Sequence, residues 1–143
     1  MNEPGLAERL LSFARTIAMV GYSDKPLRPV TMISEYLRSQ GYRVIPVNPR
    51  LRGREVDGER SYDRLVDIPK ELKIDLVDVF RRGEFLDEVV NDAIASGVPA
   101  IWFQLDLENV AAAERAERAG LEVIWDRCTE VEHRRMKVRR GSD

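Results

Sequence analysis

Five short stretches of the chain are almost continuously apolar: TIAMV (16–20), YRVIPV (42–47), IDLVDVF (74–80), AIWFQL (100–105) and LEVIW (121–125). They are rich in β-branched residues and do not alternate cleanly between apolar and polar positions. Strands of that kind suit a parallel sheet covered on both faces. The segments between them have helical spacing. In PVTMISEYLRSQG, Val30, Ile33, Tyr36 and Leu37 fall on one face, Pro29 stands at the first helical position, and Gly41 ends the run. GEFLDEVVNDAIASG groups Phe85, Val89, Ala93 and Ile94 and stops at Gly97. ENVAAAERAERAG stops at Gly120.

The junctions SQGYRV, ASGVPA and RAGLEV share one arrangement, in which a glycine ends a helix and a strand follows within a residue or two. Such tight joints indicate successive right-handed βαβ units. A further helix is predicted over about residues 6–14, and a last one from TEVEHRRM, with Thr129 as N-cap and Glu132 three residues on. The segment NPRLRGREVDGERSYDRLVDIPKELK is too polar and glycine-broken for one long helix. It reads as a small hairpin turning at Asp57-Gly58, followed by a helical turn in DRLVDIP. The expected fold class is α/β, a Rossmann-like doubly wound sheet of about five parallel strands with flanking helices. Residues 1–143 are expected to form a single domain.

Composition narrows the function classes. With 23 Lys+Arg against 25 Asp+Glu, the net charge is −2, so no global basic field points to nucleic acid. The apolar runs are far shorter than the roughly 20 residues of a membrane span. The N-terminus lacks the pattern of a secretory signal, and Cys128 is a single cysteine that forms neither an internal disulfide nor a zinc cluster. A cytoplasmic location is the expectation, with neither a membrane nor a nucleic acid as partner. The basic stretch HRRMKVRR raises nucleic-acid or protein docking, but it lacks stacking aromatics and reads as a solvated face.

In an open α/β sheet, ligands bind beyond the carboxyl ends of the strands, where the strand order reverses. The loops there would be GYSDKPLR, NPRLRG, RRGE, QLD and DRCTE. They collect Ser23, Lys25, Arg28, Arg50, Arg52, Arg81, Arg82 and Arg127, a concentration of positive charge that invites phosphate. The helix opening at Pro29 would add free N–H groups and a dipole end. Yet the first loop has only Gly21 where a dinucleotide fingerprint needs G-x-G-x-x-G. The second strand runs into VNPR, with no acid to hold ribose hydroxyls, and no Walker A loop is present. The sequence thus predicts a phosphate site without a dinucleotide signature.

Four motifs in order, VGYSDKPLRP, YRVIPVNPRLRGREVDGERSY, IDLVDVFRR and DRCTEVEHRRM, resemble the small stand-alone CoA-binding domain family. More distantly, they resemble the N-terminal CoA-binding domain of the succinyl-CoA synthetase alpha subunit. The resemblance runs from about Arg15 to Met136. It implies that coenzyme A, or an acyl-CoA, lies along the carboxyl edge of the sheet. Gly21, Tyr22, Ser23 and Arg28 would hold the pyrophosphate. Asn48, Pro49 and Arg50 match the synthetase's Asn-Pro-Lys, so Arg50 would meet the 3′-phosphate, with Arg52 as its nearest substitute. Val79, Phe80 and Arg81 would border the adenine. Gln104 and Asp106 would line the pantetheine path, or Asp106 would cap the next helix.

The ligase activity of the synthetase does not follow, because its phosphohistidine domain has no counterpart here. His133, the sole histidine, falls in a predicted helix, and no pair of carboxylates stands ready for acid–base work, Asp75 and Asp78 being expected at strand ends or on a partly open side. Cys128 next to Arg127 is either a structural thiol or one able to form a mixed disulfide with CoA. The expectation is a binding module with no catalytic residues, acting as a carrier, a sensor or the partner of an unidentified enzyme. The rival readings are a nicotinamide-dependent oxidoreductase and a module for another adenine nucleotide. A β-branched residue at position 21 is expected to block the ligand while leaving the fold intact.

Overall fold

The computed structural model describes residues 1–106 and 108–141. Five strands form a parallel sheet: β1 (Thr16–Val20), β2 (Arg43–Val47), β5 (Leu76–Val79), β6 (Ala100–Phe103) and β7 (Glu122–Ile124). Their order is β2-β1-β5-β6-β7. Two further strands, β3 (Glu55–Val56) and β4 (Glu59–Arg60), pair antiparallel as the predicted hairpin. Its turn has positive φ at both central residues, 51° at Asp57 and 82° at Gly58. That is the geometry for which Asp-Gly is favoured. Among the described residues there are five α-helices: α1 (Leu6–Phe13), α2 (Pro29–Ser39), α3 (Leu86–Ser96), α4 (Val110–Arg118) and α5 (Thr129–Arg139). The doubly wound Rossmann-like fold expected from the pattern is the fold observed.

The strands alternate their side chains between two cores. Ala18, Val20, Val77, Val79, Ile101 and Phe103 pack with residues of α3 and α4. Ile17, Met19, Leu76, Trp102 and Ile124 pack with residues of α1, α2 and α5. Both faces are thus dry, which is why the strands read as continuous apolar runs. Pro46 is tolerated inside β2 because that strand is the sheet edge, where a missing N–H costs no central ladder bond.

Several local expectations shift. Residues 83–85 form a 3-10 turn, so α3 begins only at Leu86. Its buried face is consequently Leu86, Val89, Val90 and Ala93, while Ile94 is 37% exposed. Asn109, not Asp106, caps α4, accepting from the Ala112 N–H at 3.0 Å. Thr129 is the first helical residue of α5 rather than its N-cap. Its hydroxyl is engaged elsewhere, donating to Asp78 at 2.9 Å. Asp75 holds the lower edge of the sheet by accepting from the Arg15 and Thr16 N–H groups at 2.9 and 3.0 Å.

Leu76 is fully buried in the central strand, with β1 on one side and β6 on the other. Leu76→Ala should lower unfolding free energy by about 2–5 kcal/mol in a urea titration, as a cavity that cannot collapse between sheet and helices would. A loss under about 1 kcal/mol would mean that this core repacks freely.

Candidate functional site

The strand order reverses at β1 and β5, which lie side by side in register Val20↔Val79. From there the chain leaves β1 through Gly21 and β5 through Phe80. These two exits nearly touch: a Cβ on Gly21 would lie 2.7 Å from the Phe80 carbonyl oxygen. Gly21 also has φ +89°. Glycine is required here twice, for its backbone angle and for the space. The Gly21 and Tyr22 N–H groups both point to the Val47 carbonyl, at 2.9 and 3.3 Å, and are not free to meet a ligand.

Above this crossing lies an open cleft of about 470 Å³, lined among others by Ser23, Lys25, Arg28, Asn48, Arg50 and Arg54. Its floor includes the start of α2. Arg28 occupies the N-cap position without a side-chain cap, and Pro29 supplies no N–H. The Thr31 hydroxyl instead ties the incoming loop down, donating to the Ser23 and Lys25 carbonyls at 2.8 and 2.7 Å. Among the described residues, none of Lys25, Arg28 and Arg50 forms an ion pair. The exception in the cleft is Arg54, which reaches Asp24 across its mouth at 3.8 Å.

The walls are braced by polar contacts. Asn48 donates from Nδ2 to the Tyr22 carbonyl at 2.8 Å and accepts the Arg50 N–H at 2.9 Å, so it joins the two loops. Tyr22 turns its ring inward and is 1% exposed. Its hydroxyl donates to Asp57 and accepts from Arg38 at 3.1 Å, and Arg38 pairs with Asp57 at 2.9 Å. Burial, then the bond to Asp57, raises the Tyr22 pKa. Partial burial alone would raise Asp57, but the hydrogen bonds from Tyr22 and Arg38 outweigh it and hold that carboxyl below its ordinary range. Arg43 grips Glu59 at 2.6 and 3.0 Å, fixing the same hairpin to β2.

Two more clefts adjoin along the carboxyl edge. One, of about 170 Å³, has Val20, Val47, Pro49 and Leu65 against Arg81 and Phe85. The Arg81 guanidinium sits 4.1 Å from the centre of the Phe85 ring. At its rim Arg64 clasps Asp92 with two bonds of 2.6 and 3.1 Å. The other, of about 300 Å³, runs past Val79, Phe80 and Arg81 to Phe103, Gln104 and Leu105. Phe80 therefore separates the cationic cleft from the third one, and Arg81 separates the second from the third.

The structure brings Ser23, Lys25, Arg28 and Arg50 to the cationic cleft and Arg81 to the two beside it. Arg127 is not among them: it borders a groove with Asn2, Glu3 and Glu8. Arg82 lines the third cleft and pairs there with Glu84 at 3.2 Å. Arg52 lines none of the three clefts, so the neighbour able to replace Arg50 is Arg54. Arg54 was missed because its entry into the cleft depends on the tight 49–54 turn. There Arg52 is left-handed, and the Arg54 Nε–H donates to the Leu51 carbonyl at 3.1 Å. Asp78, expected at an open strand end, is instead fully buried. His133 is buried between Tyr36 and Tyr42, its Nδ1 2.6 Å from the Tyr36 hydroxyl, and joins α2 to α5. Cys128 is half-buried just before α5. Among the described residues no group of three or more His, Cys, Asp or Glu could hold a metal, and no helix is long and apolar enough to cross a membrane.

A doubly wound sheet with a cleft at its switch point has the architecture of nucleotide-binding folds. The family description "CoA binding domain" matches residues 15–134, and the chain belongs to that family. The uncharacterized protein YneT of Bacillus subtilis is 36% identical over 135 residues, covering 93% of this chain and 97% of YneT. A Thermus thermophilus protein described as cell-free ID.343 superposes with a TM-score of 0.87 at 38% identity, over 95% of this chain and 99% of its own. The dinucleotide forming acetyl-coenzyme A synthetase 1 of Ca. Korarchaeum cryptofilum, in complex with phosphate and ADP, is similar at 26% identity and a TM-score of 0.69. The match covers 86% of this chain but 27% of the synthetase. The similarity to a larger enzyme is thus to an acetyl-CoA synthetase. No specific link to the succinyl-CoA synthetase alpha subunit is shown.

Two outcomes follow from this geometry. Gly21→Val should fail to fold or melt far below wild type, because the added carbons meet a backbone carbonyl at a positive φ. A variant with wild-type melting would refute the close approach and restore the expectation of an intact fold. The second concerns Asp78. Burial pushes its carboxyl up to about 7, against the opposing bonds from Thr129 and Gln104. In the unfolded chain it loses its proton near 3.8, so between there and about 7 the folded state binds more protons. The contribution of Asp78 to stability is thus greatest at low pH and is lost as pH rises through that window. Melting of Asp78→Asn relative to wild type should therefore improve steadily from pH 4 to 7. A difference that does not change with pH would count against a raised carboxyl.

Proposed function

We propose that this protein binds coenzyme A, or an acyl-CoA, along the carboxyl edge of its sheet and carries out no catalysis of its own. The observation that carries this reading is the set of unpaired cations, Lys25, Arg28 and Arg50, around an uncapped helix start at the switch point of a CoA-binding-family fold. An anion seated there would meet three cations that form no ion pair among the described residues, together with the positive end of α2. After β2 the chain places Arg50, which suits a 3′-phosphate, where a ribose-binding acid would repel it.

The three clefts fit the three parts of such a ligand. The pyrophosphate lies by Ser23 and Arg28, and the 3′-phosphate by Arg50. The adenine takes the small cleft floored by Val20, Val47 and Pro49, with Arg81 alongside. Val79 and Phe80 border the third cleft, Phe80 the cationic one as well, and in this reading they face the pantetheine arm. Gly21, Tyr22 and Asn48 shape the cleft instead of gripping the ligand. With His133 enclosed by two tyrosines, no nucleophile–base pair stands at the edge among the described residues. A carrier or sensor that hands its ligand to an enzyme is the role this leaves. A nicotinamide-dependent oxidoreductase is disfavoured by the consumed N–H groups at Gly21 and Tyr22.

Calorimetry should find that wild type prefers CoA to dephospho-CoA by roughly tenfold to a hundredfold, the range of one charge-assisted contact, and binds NAD weakly or not at all. Arg50→Ala should lose most of that preference while keeping its affinity for dephospho-CoA. The double variant with Arg54→Ala tests the substitute, at fixed salt because screening alters phosphate contacts. Equal discrimination by all three proteins would place the 3′-phosphate elsewhere. Saturable NAD binding without CoA binding would overturn the reading altogether.

A further inference from the structure

Among the described residues that line the cationic cleft, one is an acid: Asp24 stands with Lys25, Arg28, Arg50 and Arg54. A carboxylate is the group least expected where an anion is to bind, since it repels the ligand and occupies a charge that would attract it. Its backbone is nonetheless held in place. The Ser23 and Lys25 carbonyls on either side of it lie 2.8 and 2.7 Å from the Thr31 hydroxyl, and the Lys25 N–H donates to Ser23 Oγ at 3.1 Å. Thr31 is itself buried in the first turn of α2. The chain flanking Asp24 is therefore pinned to the helix, while its side chain stays 42% exposed at the mouth.

Arg54 is anchored in a complementary way. Its Nε–H donates to the Leu51 carbonyl at 3.1 Å, which fixes the guanidinium to the 49–54 turn. Its Nη2 reaches across to 3.8 Å from Asp24 Oδ2, inside ion-pair range but too long for a direct hydrogen bond. A partly exposed pair of that kind is weak. A phosphate offers the same guanidinium two parallel hydrogen bonds where Asp24 makes none, so it takes Arg54 over. With both backbones braced, only the side-chain contact has to be given up.

We propose that Asp24 is a built-in competitor for the ligand's phosphates: it holds the Arg54 guanidinium across the mouth of the cleft until a phosphate replaces it. This rests on the proposed binding of CoA and adds to it a residue that sets affinity without touching the ligand. A carrier must give its ligand up, and affinity is tuned chiefly through the rate of release. A tethered carboxylate that recaptures Arg54 raises that rate.

The experiment is a cycle of four proteins, wild type, Asp24→Asn, Arg54→Ala and the double variant, each titrated with CoA and with inorganic pyrophosphate. Salt is held fixed because screening alters such contacts. Asp24→Asn should bind CoA roughly threefold to fivefold more tightly, the upper range of one partly exposed ion pair, and stopped-flow should show slower dissociation. With Arg54→Ala already in place, the same substitution should gain about twofold or less, because no guanidinium is left to release. Equal gains in both backgrounds would mean that Asp24 acts by simple repulsion, and the competition falls. Unchanged or weaker binding by Asp24→Asn overturns it as well. Wild type that binds pyrophosphate with the expected ratios but does not bind CoA overturns the functional reading and leaves the competition standing. Binding of neither overturns both.

Discussion

The architecture turns on the approach of Gly21 to the Phe80 carbonyl at the crossing of β1 and β5. Two adjacent parallel strands end at the same level there, and their chains must part toward opposite faces of the sheet. A side chain at Gly21 would wedge those exits apart. Because it has none, the loop after β1 can fold back onto Val47, Tyr22 can turn into the core, and α2 can start close above the sheet. The cleft is the space left beside that crossing. One lone glycine suffices, where dinucleotide turns use several, because the N–H groups it frees are spent on β2 and not on a phosphate.

From that crossing outward, polar side chains divide into those spent on the scaffold and those left over. Asn48, Tyr22, Arg38 and Asp57 hold one another, and with Arg43 and Glu59 they pin the small hairpin that forms one wall. None of these bonds contributes much alone, since partly exposed ion pairs are weak. Their effect is geometric: they fix the backbone from which Arg50 and Arg54 project. The unpaired cations are consequently long, exposed side chains on short, braced loops.

The strands, the hairpin turn and most helix limits were legible because each follows a local rule: apolar runs, Asp-Gly at a tight turn, glycine after a helix. The cationic edge was legible as well, since the loop after each parallel strand must emerge on the same side. Features that depend on tertiary distance were hidden. Tyr22 was expected in the loop that holds the pyrophosphate, yet its ring is buried because Asp57 and Arg38 arrive from elements far apart in sequence. Thr129 carries the sequence mark of a cap, but a capping bond would compete with Asp78, and the buried carboxyl wins because an unpartnered one costs more than an uncapped helix end. Arg127 looked equivalent to the other basic residues until β7, at the far edge of the sheet, placed it away from the switch point.

Asp78 and Phe80 show how one strand serves fold and cleft together. β5 lies at the middle of the sheet, so its end faces all three clefts, and its alternation sends Val77 and Val79 into one core and Leu76 and Asp78 into the other. An apolar residue at position 78 would pack without a desolvation cost, and replacing buried polar groups by apolar ones of similar shape often stabilises a protein. Keeping a carboxyl there instead makes the fold less stable near neutral pH. In exchange, the loop after β6 and the start of α5 are held to the central strand by directional bonds and not by packing alone. Hydrogen bonds fix the rotation of a side chain in a way that apolar contact does not. The elements so fixed carry Gln104 and border the third cleft, while the cationic cleft on the other side of Phe80 keeps its long, unpaired side chains.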